Sequence, residues 1–301
     1  MHKLVTGGYG LVGSCFDAGY IKAGRKDADL TLRHETLELF NRIKPETVIH
    51  TAAKVGGLYS NMQSPADYFE QNVAINSHIL EACRLSGVKK MAAFLSTCIF
   101  PAQVTYPLTE GKIHDGPPHA SNYGYAYAKR MLDVAVQAHN QQYGTRYFCV
   151  IPTNIYGPND NFSLTEGHVI PALIHKVYLA RESKTALQVP GDGSALRQFV
   201  FAADVAGAVE QLLDKYHETG PVIISTDEEI SIKQVLDIII ELMHYKGEVQ
   251  WQTNLSNGQH RKPADAAKLK GILPQLKFTN IYTGIKNTVE WFELNYPAVR
   301  K

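Results

Sequence analysis

The chain has 301 residues, and 30 Lys+Arg against 29 Asp+Glu leave a formal charge of +1, so charge gives no reason to expect a nucleic-acid or anionic-membrane partner. Apolar residues at 45% and charged residues at 20% describe a folded globular chain, not a disordered one. No apolar run approaches the roughly 18 residues that span a bilayer, and the start turns glycine-rich at once without a secretory apolar core, which predicts a soluble cytoplasmic protein.

In chain order, Leu4-Val5-Thr6 reads as a short buried strand ending in Gly7-Gly8. Thr36 to Lys44 reads as a helix stopped by Pro45, and Val48 to Ala53 as a second strand running into Gly56-Gly57. Pro65 to Leu85 is a long helix closed by Gly87, followed by a strand from Met91 to Leu95 that ends at Ser96-Thr97-Cys98. Ser121 to Tyr143 is another long helix, and Phe148 to Ile151 a strand that stops at Pro152. Such alternation predicts an α/β fold, a Rossmann-type doubly wound parallel sheet covered on both faces. Ligands of such sheets bind beyond the carboxyl ends of the strands, so the residues just after each strand are the ones to inspect.

Beyond Pro152 the punctuation changes. Gly157 to Asn161 is a loop, Val169 to Glu182 a helix, and Gly191-Asp192-Gly193 a turn before the apolar run Phe199-Val200-Phe201. Ser231 to Tyr245 carries a capping serine and apolar residues at helical spacing. We read residues 1–155, with a return segment 199–222, as a dinucleotide-binding domain, and 156–198 with 223–301 as a smaller C-terminal α+β substrate lobe. Cys15, Cys83, Cys98 and Cys149 lie far apart with no Cys-x-x-Cys pair, which argues against a disulfide framework and a zinc site, and no metal is expected.

Two constellations carry chemistry. Gly7, Gly10 and Gly13, with Leu11 and Val12 between them, follow the first strand and are expected to open a helix. Glycines there let the backbone approach a pyrophosphate, and the helix N-terminus supplies amide donors. Tyr125 and Lys129 stand four apart on one helix face. An ammonium beside a phenol favours the phenolate, so Lys129 is expected to lower the Tyr125 pKa and let it protonate a carbonyl oxygen during hydride transfer. Tyr127 competes for the role, but Met131 four residues on gives it no cation.

The glycine turn, the strand-end Ser96 and the Tyr-x-x-x-Lys pair resemble the extended short-chain dehydrogenase/reductase family. Four further strings, His50 to Gly57, Ser96 to Pro101, Pro152 to Phe162 and Gly167 to Leu173, are similar to its GDP-L-fucose synthase branch, and the similarity covers nearly the whole chain. That resemblance implies NADPH/NADP as cofactor, GDP-4-keto-6-deoxy-D-mannose as substrate, and a homodimer built on helices 65–85 and 121–143. It implies catalytic roles for Ser96, Cys98, Tyr125, Lys129 and His168, with Cys98 as base and His168 as acid in inverting carbons 3 and 5. The implied cofactor contacts are Gly7, Gly10, Leu11, Val12, Gly13, Arg25, Asp29, Leu30, Ala52, Ala53, Tyr125, Lys129, Pro152, Asn154 and His168. Asn154, Lys176, Arg197 and Lys262 are the implied substrate contacts, Arg197 through its fork on a phosphate.

The departure lies between Gly13 and Asp29, where the chain has roughly ten residues fewer than that branch, although a parallel crossover usually takes a dozen or more. Either the edge strand is missing or the first helix is cut to about two turns. Arg25 and Lys26, with no acid before Asp27, favour a 2′-phosphate. The alternatives are another nucleotide-sugar epimerase or dehydratase of the fold, and a non-catalytic nucleotide-binding protein produced by the shortening.

Overall fold

A computed structural model describes residues 2–255 and 259–301. Six short strands form one all-parallel sheet in the order Val222–Ile224, Arg146–Pro152, Lys90–Phe94, Thr47–His50, Lys3–Thr6, Tyr20–Ala23. Successive side chains point to opposite faces, and both faces are apolar. Leu4, Val48, Met91, Ala93 and Cys149 enter one core beneath helices Arg33–Ile43, Pro65–Leu85 and Tyr123–Tyr143. Val5, Ile49, Ala92, Phe94 and Val150 enter a second core against helix Ala202–Lys215. A third core gathers helices Val169–Ser183, Ile232–Leu242 and Ile281–Asn295 around Ile174, Leu236, Val289 and Phe292. Ser231 and Gln234 close a capping box at the second of these helices.

The shortened crossover resolves differently from both expected alternatives. The edge strand is present, paired in parallel with Lys3–Thr6, and the helix is reduced to a single 3-10 turn, Gly13–Cys15. The reason is length. Returning along a four-residue strand means covering about 10 Å, which takes an α-helix about seven residues plus a turn at either end. After the glycine turn the chain cannot supply them, so it crosses partly extended. The sheet face that a helix would cover is filled instead by Val12, Phe16 and Tyr20, all buried, with the two rings 5.2 Å apart. Among the described residues no helix is long and apolar enough to cross a membrane.

Candidate active site

The carboxyl ends of strands Lys3–Thr6, Thr47–His50, Lys90–Phe94 and Arg146–Pro152 lie at one edge of the sheet, because all four run in parallel. The first carries the glycine turn. Gly7 has φ +70°, and a Cβ there would lie 2.7 Å from Thr51 Oγ1 and 2.8 Å from the Ala52 nitrogen. A Cβ on Gly13 would lie 2.2 Å from the Gly7 carbonyl oxygen, so the loop closes on itself only with glycine at both positions. The amides of Leu11 and Val12 donate to no acceptor among the described residues. Free amides over a side-chain-free cradle fit a dinucleotide diphosphate, and since terminal charge resides in the first turn, one turn keeps much of the attraction of a full helix.

Ala52 and Ala53 follow the second strand, half-buried against that cradle. Toward the far end of the cleft, Lys26 Nζ sits 4.3 Å over the Tyr9 ring, while Arg25 is exposed and acts electrostatically on Asp29. Asp29 accepts from the amide and hydroxyl of Thr31, which holds its carboxyl below the usual range. The Leu30 carbonyl accepts from His78 Nδ1 at 3.0 Å.

The third strand ends at the 3-10 turn Thr97–Ile99, whose Cys98 amide donates to Ser96 Oγ at 3.4 Å. Two cations grip the turn by its carbonyls: Lys262 Nζ donates to Thr97 O at 2.9 Å and Arg130 Nε to Ile99 O. Burial pushes the Cys98 thiol above its ordinary 9.0, opposed by the Ser96 hydrogen bond and the charges of Lys262 and Lys129. Lys129 is 2% exposed, donates to Phe94 O at 2.7 Å, and is brought down by burial to about 8.

The expected tuning of Tyr125 is not what this arrangement produces. Lys129 Nζ lies 5.9 Å from the Tyr125 ring centre and is engaged by a carbonyl, and burial, followed by the nearby Cys98, pushes the phenol up, not down. Nor is Tyr127 without a cation, since the Arg130 guanidinium lies 5.4 Å over its ring.

His168 stands at the N-cap of helix Val169–Ser183 without a capping bond from its side chain, and its Nδ1 lies 3.8 Å from Asp160 Oδ1. That carboxylate raises the imidazole pKa against the desolvation and the Arg300 charge that lower it. Pro152 closes the fourth strand opposite Ile224, and just beyond it exposed Asn154 donates to Gln198 O at 2.8 Å. Arg197 Nη1 donates to Leu196 O, and its charge lies close enough to that of Lys262, the cation on the Cys98 turn, to add repulsion to the burial that lowers the lysine's pKa. Lys176 lies about two turns along the His168 helix, half-buried, with its pKa lowered by desolvation. Among the described residues no hydrogen bond or ion pair joins it to the Cys98 cluster.

Several residues of this edge were not singled out from the sequence. Asp160 and Glu166 sit inside or beside the quoted strings, but their burial and partners depend on loops meeting: Glu166 Oε2 accepts from the Gly57 amide at 3.0 Å. His50 bridges Thr6 and Asn76, and burial brings it down to about 3, so it is neutral.

The profile of the NAD dependent epimerase/dehydratase family matches residues 3–224. The chain belongs to that family. Within the epimerase/dehydratase family it is similar to the GDP-L-fucose synthase of Dictyostelium discoideum, 47% identical over 99% of this chain and 97% of that one. The GDP-L-fucose synthase of Sinorhizobium fredii is 34% identical over 97% of this chain and 95% of its own. The fold is similar to that of a GDP-L-fucose synthetase from Naegleria fowleri bound to NADP, with a TM-score of 0.94, 36% identity and coverage of 99% and 96%.

Proposed function

We propose that the chain converts GDP-4-keto-6-deoxy-D-mannose to GDP-L-fucose with NADPH, inverting carbons 3 and 5 and reducing carbon 4. The observation that carries this reading is a thiol held in a cation-gripped turn at a strand's carboxyl end, together with a second proton-transfer group, the His168 imidazole, whose protonated form a buried carboxylate favours. A simple reductase has no use for either group.

The protons on carbons 3 and 5 are acidic because they flank the 4-keto group, so inversion needs a base and an acid. Cys98 is the base and His168 the acid. Near neutral pH the ligand-free pair rests with Cys98 as thiol, and the reactive thiolate–imidazolium form is a minority species. Lys262 and Lys129 favour the thiolate electrostatically. Ser96 holds the turn, and Tyr125, protonated at neutral pH, supplies the proton that the carbon-4 oxygen takes up. Bound NADPH supplies the hydride. The cradle from Gly7 to Gly13, with Ala52, Ala53, Pro152, Asn154 and the Arg25–Leu30 segment, holds the cofactor, while Arg197 and Lys262 offer positive charge to the substrate diphosphate and Asn154 and Lys176 contact the sugar nucleotide.

The division into a dinucleotide domain, 1–155 with 199–222, and a substrate lobe belongs to the same reading, as does a cytoplasmic location. So does a homodimer, supported by Leu85, Met131, Val134 and Tyr143, exposed on helices Pro65–Leu85 and Tyr123–Tyr143. The deciding variant is Cys98→Ser, which keeps the size but raises the pKa of the base by several pH units. Exchange of the carbon 3 and 5 protons with heavy water should fall by about 10²–10⁴ with NADPH binding intact. Unchanged exchange would place the base elsewhere.

A further inference from the structure

The loop that carries Asp160 is pinned from several sides. Asn159 adopts φ +64° and its Nδ2 donates to Ser14 Oγ at 3.3 Å, while the Phe162 amide donates to Arg300 O at 2.8 Å. Between these anchors the Asp160 side chain is 4% exposed, whereas the His168 side chain it faces is 58% exposed. Asp160 Oδ1 accepts from the Asn161 amide at 2.7 Å and lies 3.8 Å from His168 Nδ1. Oδ2 is buried and has no hydrogen-bond partner among the described residues. A buried carboxylate with an unpaired oxygen is costly to fold, and is tolerated where it serves a charge it faces.

We propose that Asp160 is the positioning residue of His168: it holds the Nδ1 side of the imidazole, so that the proton is delivered from and reloaded at Nε2. The inference rests on the reading of His168 as the epimerisation acid. In the step, the Nε2–H bond of the imidazolium breaks and the proton forms a C–H bond at the enolate carbon of the sugar. The electron pair left on Nε2 makes a neutral imidazole that keeps its Nδ1 proton toward Asp160. Solvent then reprotonates Nε2 through the exposed side of the ring. The charged groups facing the ring are Asp160 from the loop and Arg300 from the C-terminal tail, which act in opposite directions. Glu166, two residues before His168, is turned to the Gly57 amide.

The test is NMR of the full chain labelled at its 12 histidines, with His168 assigned by the signal lost in His168→Asn. In Asp160→Asn the His168 midpoint should fall by roughly one pH unit, since an opposite charge at this range moves a pKa by about that or more. The other histidines should hold and Asp160→Glu should recover part of the change. Wild-type protein supplies a measurement that needs no variant: above its midpoint, the nitrogen shifts of His168 should report the tautomer with the proton on Nδ1. An unmoved midpoint in Asp160→Asn, or a wild-type tautomer protonated on Nε2, overturns the proposal. A further readout is the pH profile of heavy-water exchange. Because Cys98 titrates above His168, the acidic limb follows His168, so it should move to lower pH in Asp160→Asn and the plateau should drop about tenfold for each pH unit moved. Both NMR readouts are taken without substrate. A wild-type chain that moves no sugar protons therefore defeats the functional reading alone, and normal exchange with an unmoved His168 defeats this proposal alone.

Discussion

Replacing Gly13 by alanine sets a Cβ 2.2 Å from the Gly7 carbonyl oxygen, 2.7 Å from the Gly8 Cα and 2.8 Å from the Gly7 carbonyl carbon. All three obstacles are backbone, so no side chain can swing away, and the loop must open by about 1 Å to restore ordinary contact. Overpacking of this kind costs about 1–3 kcal/mol. If the strain is relieved only when the loop opens, and the open loop misaims the Leu11 and Val12 amides, the cost falls on cofactor affinity, about 5- to 150-fold at 1.36 kcal/mol per decade. Gly207→Ala, in helix Ala202–Lys215 away from the cradle, is the control: its Cβ would meet nothing within 4 Å. Titrating NADPH by fluorescence against both variants separates them. The reasoning fails if Gly13→Ala binds as tightly as wild type, or if Gly207→Ala loses as much affinity as Gly13→Ala.

Tyr125→Phe should lower NADPH oxidation by about 10²–10⁴ while the carbon 3 and 5 protons still exchange; oxidation at the wild-type rate would remove Tyr125 from the reduction. Arg25→Ala combined with Lys26→Ala should weaken NADPH more than NADH in a direct titration, and equal losses would take the 2′-phosphate away from this pair. His50 is depressed to about 3 in the folded chain, so below about pH 6.5 the unfolded chain takes up a proton that the folded chain refuses, and the stability present above 6.5 is lost as pH falls toward 3. Between pH 7.5 and 5 this group should contribute a loss of about 2 kcal/mol; denaturant titrations at both pH values should show a shallower loss in His50→Gln, and an identical loss in the two proteins would contradict it.

Local chemistry made much of the scaffold legible. Pro65 at the first turn and Gly87 at φ +67° bracket the helix Pro65–Leu85 as the sequence predicts, and the capping box at Ser231 starts its helix as expected. The alternation of β-branched runs and helices was enough to predict the parallel sheet. The crossover after Gly13 was not legible, because whether too short a segment gives up its helix or its strand depends on what fills the exposed sheet face, here Val12, Phe16 and Tyr20. At the candidate site, helical spacing put Tyr125 and Lys129 on one face, but the ammonium is captured by Phe94 O, 35 residues away in sequence. Charge tuning is a tertiary property, and spacing along one helix does not reveal it. Asp160 was equally silent, since a carboxylate in a loop declares its partner only when that loop meets another element.

The central claim is tested most directly by giving the full chain GDP-4-keto-6-deoxy-D-mannose and NADPH in heavy water and following the sugar by NMR and the cofactor by absorbance. The account predicts GDP-L-fucose carrying deuterium at carbons 3 and 5, with one NADPH oxidised per product formed. NADPH oxidation that yields a sugar with unexchanged protons and unchanged configuration at carbons 3 and 5 would contradict it.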